Sequence, residues 1–221
     1  MPLIFSGLGF SMPLLKIKLL ESILRQQNIL CENADNNFML TVLLYGDPKD
    51  VFIGDMITKE LSPNNRIIRT CKEKLAVCGL EKEPGYGRDL FLLESDDINT
   101  IRGGVVVLLK NSAKAERLEY ISGNALTIVN SGVTSHIKRI SQLGAKAVVC
   151  GMCGKDAVTF SSISENRGIV SLQRSLPLPE SVGGGAVEPF ETPLEWKSNG
   201  TIDEYSLLAF AVIKIMLTNR K

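Results

Sequence analysis

The chain has 221 residues, 44% of them hydrophobic and 22% charged, with 25 basic against 24 acidic side chains and a net charge of +1. That length supports one domain with an appendage, or two small ones, around a sizeable core. The charge balance, with no Lys/Arg run and no basic-aromatic platform, gives no basis for a nucleic-acid partner.

In chain order, MPLIFSGLGFSMPLLKIKLL is apolar but lacks the basic n-region and small-residue cleavage site of a signal peptide. Residues 12–27 read as an amphipathic helix entered through Ser11 and Pro13. FMLTVLLY (38–45) reads as a buried strand closed by Gly46-Asp47-Pro48, and 51–61 as a helix with Asp50 as its cap. A helix is expected around 69–78, followed by a loop over 81–89. Beyond it come a strand (103–110), a helix (112–121), a strand (124–130) and a helix (133–144) ended by Gly144. A strand (146–150), a helix (154–166) and a strand (168–173) complete the alternation. Residues 175–200, with four prolines and four glycines, read as ordered loop. A final helix over 201–219 opens with Thr201 three residues before Glu204, a capping box. Its apolar run is interrupted by Lys214 and is too short to span a bilayer, so no membrane insertion is expected.

Near-continuous apolar strands alternating with helices predict an α/β fold, a mixed or parallel sheet with flanking helices. Two parts are expected: an N-terminal α/β segment (1–100) packing on a core domain (101–221) that carries the C-terminal helix. Cysteines at 31, 71, 78, 150 and 153 are an odd count without framework spacing. They read as reduced thiols, and the location expected is cytoplasmic.

Cys150-Gly151-Met152-Cys153 follows a strand and precedes an expected helix, the order of thioredoxin-like redox centres, where a helix N-terminus activates the first thiol. The plainer reading, and the favoured one, is Cys150 as a small hydrophobe ending a buried strand. A metal needs a second pair or a Cys/His cluster. Cys71 and Cys78 lie far upstream and His136 is the only histidine, so neither a metal nor a cofactor is expected. Asp47, Asp55 and Glu60 read as surface helix charges rather than a catalytic acid pair.

Asn130-Ser131-Gly132-Val133-Thr134-Ser135-His136 lies where a strand hands over to a helix, so hydroxyls and free backbone N–H groups are positioned to hold an anion. Gly132–His136, GVTSH, resembles the phosphohistidine signature of the swivelling domain in phosphoenolpyruvate-utilising enzymes. That resemblance implies His136 as a catalytic phosphoryl carrier, while the turn itself offers Asn130, Ser131, Gly132, Thr134, Ser135 and His136 as ligand-binding residues, with Lys110 or Lys155 as anion partners. The plainer reading has Ser131 or Thr134 capping the helix, His136 on its polar side, and Val133, Ile137 and Ile140 facing the core.

Residues 137–174 resemble the apical domain of TCP-1-type chaperonins. They show a helix ending in Gly144-Ala145, a strand through Val148 and Val149, a helix bearing Asp156, then Gly168-Ile169 and a strand ending in Arg174. GGGAVE (183–188) is similar to a segment of that family's equatorial domain. The chain has no Gly-Asp-Gly-Thr motif, so the resemblance implies no ATPase activity. Both resembled families share a swivelling β/β/α architecture. The expectation is therefore a non-catalytic interaction or assembly module with a protein partner or a second copy. The alternatives are an enzyme handling a small molecule or phosphoryl group at the Asn130–His136 turn, and a thiol redox protein at Cys150 and Cys153.

Overall fold

The computed structural model describes residues 39–71, 74–78, 89–196 and 203–218. All belong to one compact unit, Phe38–Lys221. The helix expected over 12–27, most of the loop over 81–89, and Thr201 lie outside the described residues.

Strand β1 (Met39–Tyr45) buries every residue after the first, which marks a strand covered on both faces. Its alternation sorts the side chains between two cores. Leu40, Val42 and Leu44 join one, and Leu43 and Tyr45 the other. Helix α1 (Phe52–Leu61) packs Ile53, Ile57 and Leu61 into the first core, a spacing that keeps them on one helix face. Its N-cap is Val51, with no side-chain cap bond, so the expected Asp50 cap is not made. Strands β2 (Arg66–Cys71) and β3 (Lys74–Cys78) form an antiparallel hairpin where a helix was expected over 69–78. The β-branched residues Ile67, Ile68, Thr70 and Val77 favour the strands. Strand β4 (Asp89–Ser95) then runs parallel between β2 and β1.

Two-residue β5 (Thr100–Ile101) pairs with β7 (Tyr120–Ile121), and β6 (Val106–Leu109) lies on the other flank of β1. The helix expected over 112–121 shrinks to one 3-10 turn, Ala115–Arg117. Strand β8 (Leu126–Asn130), helix α2 (Thr134–Gln142) and strand β9 (Lys146–Cys150) follow. Gly144 adopts φ 62° just beyond α2, the left-handed stop foreseen there.

The helix expected over 154–166 is instead β10 (Val158–Ile163), antiparallel to β11 (Arg167–Leu172). Val158, Thr159 and Phe160 are buried while Ser161, Ser162 and Ile163 emerge into solvent. The supposed loop over 175–200 holds β12 (Leu176–Pro177) paired with β13 (Ala186–Val187), and β14 (Phe190–Glu195) on the sheet edge. Pro193 and the two exposed glutamates, Glu191 and Glu195, suit an edge that must not recruit another strand. Helix α3 (Glu204–Thr218) closes the described chain with eleven of its fifteen residues buried, the signature of a helix enclosed by the protein.

The main sheet has ten strands in the order β14-β11-β10-β9-β8-β6-β1-β4-β2-β3. Seven neighbours from β10 to β2 run parallel, and the flanking pairings β2–β3, β10–β11 and β11–β14 are antiparallel. The α/β fold with a large, mostly parallel sheet and flanking helices is thus present. One sheet takes strands from both sides of residue 100. Among the described residues, no helix is long and apolar enough to cross a membrane.

Candidate functional site

The chain leaves β1 toward β2 on one side of the sheet and leaves β6 toward β8 on the other. Loops that depart in opposite directions open a crevice at the carboxyl ends of the two strands. A cleft of about 220 Å³ lies there, with Ile53 and Leu108 among its apolar lining and Asp50, Asn111, Asp203 and Ser206 among its polar lining.

Lys110, at the end of β6, borders this cleft but is only 2% exposed. Its ammonium donates to the Asp47 carbonyl (3.3 Å), the Asp50 carbonyl (2.5 Å) and Glu94 Oε2 (2.8 Å). An ammonium has three protons, so all are committed. Glu94 ends β4 and is 3% exposed. Its other oxygen meets Arg69 of β2 at 2.6 Å, and Arg69 reaches on to Asp55 of α1. Two carboxylates and two cations therefore neutralise one another and tie the β1–α1 loop to three strands and a helix. Gly46 makes this approach feasible. A Cβ there would sit 2.8 Å from Lys110 Cβ, and its φ of 148° disfavours any L side chain.

The opposite wall is α3. Asp203 Oδ2 accepts from the Ser206 backbone N–H (3.2 Å) and from Ser206 Oγ (2.6 Å), so Asp203 caps the helix. The same oxygen accepts from Asn111 Nδ2 (3.0 Å), and Asn111 Oδ1 accepts from Asn130 Nδ2 (2.8 Å). Asn130 Oδ1 in turn accepts from the Gly132 N–H (2.8 Å). This polar chain crosses the carboxyl ends of β6 and β8. Tyr205 anchors α3 beneath it, its hydroxyl shared between the carbonyls of Leu109 (2.7 Å) and Ile128 (3.1 Å). Burial pushes that phenol well above its ordinary 10.0.

The predicted site residues scatter. Asn130 joins the cleft network. Ser131 neither caps α2 nor faces the cleft: its hydroxyl donates to Asp156 Oδ2 at 2.9 Å, an oxygen that also accepts from the Cys153 N–H at 2.9 Å. Helix α2 begins at Val133 without a side-chain cap, so Thr134 is no cap either. Gly132, Thr134 and Ser135 are exposed.

His136 is turned inward rather than to the polar side and is 1% exposed. Its Nε2 lies 2.9 Å from the Ala113 carbonyl. A carbonyl can only accept, so Nε2 is the donor in this contact, while Nδ1 is buried without a hydrogen-bond partner. A phosphoryl donor has no open approach to this ring. Lys110 is committed to the β1–α1 loop and Glu94, and Lys155 is exposed on the β9–β10 turn.

Cys150 is fully buried, and burial raises its thiol far above the ordinary 9.0, reinforced by the Asp156 carboxylate. Turns lead from Cys153 directly into β10. Without a helix N-terminus, the physical basis for an activated thiol is missing. Sequence reasoning passed over Asn111 and Asp203. Asn111 sits one residue beyond the end of an apolar strand's committed lysine, where parallel sheets place ligands.

No protein-family model and no curated protein matches the sequence. Among solved structures, the chain is similar to a murein peptide ligase from Psychrobacter arcticus at 10% identity and a TM-score of 0.45, over 81% of this chain and 44% of that one. It is also similar to a UDP-N-acetylmuramoyl-L-alanyl-D-glutamate–2,6-diaminopimelate ligase at 11% identity and a TM-score of 0.31, over 73% of this chain and 41% of that one. The chain therefore spans less than half the length of either.

Neither is a chaperonin, and the expectation of a chaperone-like, non-catalytic binding module with a swivelling β/β/α core is corrected by the local structure: the chaperonin-like pattern needs an Asp156-bearing helix, and Asp156 here ends a turn that enters a strand.

Proposed function

We propose that this chain is a small-molecule-handling α/β enzyme or enzyme domain whose ligand sits in the cleft at the carboxyl ends of β1 and β6. The observation that carries this reading is the convergence of Asn111 and Asp203 on a crevice at the sheet's topological switch point. Buried ion pairing at Lys110 fixes the β1–α1 wall, and Tyr205 fixes the α3 wall. Both walls are preorganised, as a binding cleft requires.

Asp50 is the proton-handling candidate. It is half-buried on the cleft wall, and Ser112 Oγ approaches its Oδ2 at 3.2 Å. A carboxylate so placed can accept a proton from a bound ligand. We place the protein in the cytoplasm, a reading supported by the unpaired Cys78, Cys150 and Cys153.

A metabolite panel read by thermal stabilisation of the full chain tests the proposal. At least one compound should raise Tm, and Asn111→Ala should abolish that rise without changing the unliganded Tm by more than a degree or so. Asp50→Asn should keep the binding and remove turnover. A panel with no stabilising compound, or one whose effects survive Asn111→Ala, refutes it.

A further inference from the structure

We propose, building on the cleft reading above, that the cleft takes a small planar ring carrying a cationic or hydrogen-bond-donating arm and turns anions away. The ring half rests on Phe52. This side chain is 43% exposed although it opens a helix whose core-facing residues Ile53, Ile57 and Leu61 are 2%, 0% and 5% exposed. Val51 beside it is 42% exposed. Phe52 lines the same cleft as Ile53 and Leu108, so a flat ring entering there finds an aromatic surface on one side and an aliphatic floor on the other. The cleft's volume of about 220 Å³ falls below the roughly 300–1,000 Å³ of sites for larger ligands. It accommodates one ring system with a short arm.

The charge half rests on what Lys110 does. It is the cation bordering the cleft, and its protons are committed to Glu94 and two loop carbonyls. The remaining charged groups on the wall are the carboxylates of Asp50 and Asp203. Opposing them are the amino ends of α1 and α3, each equivalent to roughly half a positive charge. Two full negative charges against two halves leave about one negative charge facing the ligand. An anion entering would be stripped of water against that field, whereas an ammonium or a donor N–H would find carboxylate oxygens to replace its hydration.

A matched pair of probes separates the two halves: tryptamine and indole-3-propionate share one ring and carry opposite charges. Both are titrated into isotope-labelled full-length protein while the side-chain amide of Asn111 is followed by NMR. Tryptamine should shift that amide and bind at least about tenfold tighter than indole-3-propionate. Phe52→Ala, a change at an exposed position, should weaken tryptamine by about fivefold or more. Asp203→Asn, which keeps a capping side chain, should bring the two probes within about threefold of each other.

Equal or tighter binding of indole-3-propionate overturns the charge assignment. Tryptamine binding that Phe52→Ala leaves unchanged overturns the ring assignment. If only non-aromatic fragments shift Asn111, the ligand class falls while the small-molecule cleft stands. If no fragment shifts it, both fall together.

Discussion

Replacing Lys110 by Met removes the group that closes the site's charge network. Glu94 would keep Arg69 at 2.6 Å but lose the ammonium at 2.8 Å, and the Asp47 and Asp50 carbonyls would lose their shared donor. Removing one partner of a buried ion pair costs about 3–5 kcal/mol. Arg69 still compensates Glu94, so the low end applies, about 3 kcal/mol. With a urea m-value of about 2 kcal/mol/M, the midpoint of unfolding should fall by roughly 1.5 M. Glu94→Gln should cost a similar amount, because it leaves Lys110 buried with only neutral acceptors. The double variant Glu94→Gln/Lys110→Met should lose about 4 kcal/mol rather than 6, since contacting charges couple by up to about 3 kcal/mol. Equilibrium urea unfolding of the four proteins checks this, and hydrogen exchange at residues 46–51 should accelerate in Lys110→Met. A midpoint shift below about 0.3 M for Lys110→Met, or strict additivity in the double variant, would refute the account of a buried, mutually neutralised network.

Three further outcomes follow from the geometry. Gly151→Ala should destabilise by about 2–3 kcal/mol, because the added Cβ would lie 1.9 Å from Ser131 Oγ and 2.7 Å from Asp156 Oδ2; thermal melts should show partial rescue by Ser131→Ala, which clears the nearer atom. Tyr205→Phe should cost about 1–2 kcal/mol by leaving the Leu109 and Ile128 carbonyls without their shared donor, again read by urea unfolding. Stability should also decline as pH rises above about 9. Cys150 and Tyr205 have folded pKa values raised above their ordinary 9.0 and 10.0 by burial, so the folded state holds protons that the unfolded chain has released, and unfolding gains with each step in pH. Cys150→Val should remove the onset near pH 9 and leave the one near pH 10, and wild-type Cys150 should resist iodoacetamide while exposed Cys153 reacts.

The fold was legible where burial on both faces forces a near-continuous apolar run. Leu40–Tyr45 (β1), apolar but for Thr41, and Val106–Leu109 (β6) could be read directly, because a central parallel strand covered on both faces is built mainly from apolar side chains. Strands nearer the flanks were not. Residues 66–78 mix Arg, Thr and Lys with Ile and Val, and the charged positions resemble the polar face of a helix. Arg69 is charged for another reason: it fills the ion network beneath the cleft. Likewise Ser161 and Ser162 in β10 are polar because the strand emerges into solvent beyond Phe160, and a half-wet strand carries no clean period of either kind.

The site was less legible than the fold because its contacts are long-range. Asn111 meets a carboxylate 92 residues downstream, and Lys110 meets two carbonyls 60 and 63 residues upstream. Local spacing holds no trace of such pairs, so attention fell on the compact cluster Asn130–His136, whose residues in fact diverge. Asn130 turns to the cleft, Ser131 to Asp156, and His136 to the Ala113 carbonyl under α2. Topology would have pointed elsewhere. Once β1 and β6 are recognised as adjacent parallel strands whose connections leave in opposite directions, the residues just past their ends become the candidate site. Those residues are Gly46 to Asp50 and Lys110 to Ser112. They hold the committed lysine, the Asn111 amide that bridges Asp203 and Asn130, and the one cleft carboxylate that no helix requires as a cap. The proposed role of Asp50 and the stabilising role of Lys110 are linked, because the loop that presents the first is held in place by the second.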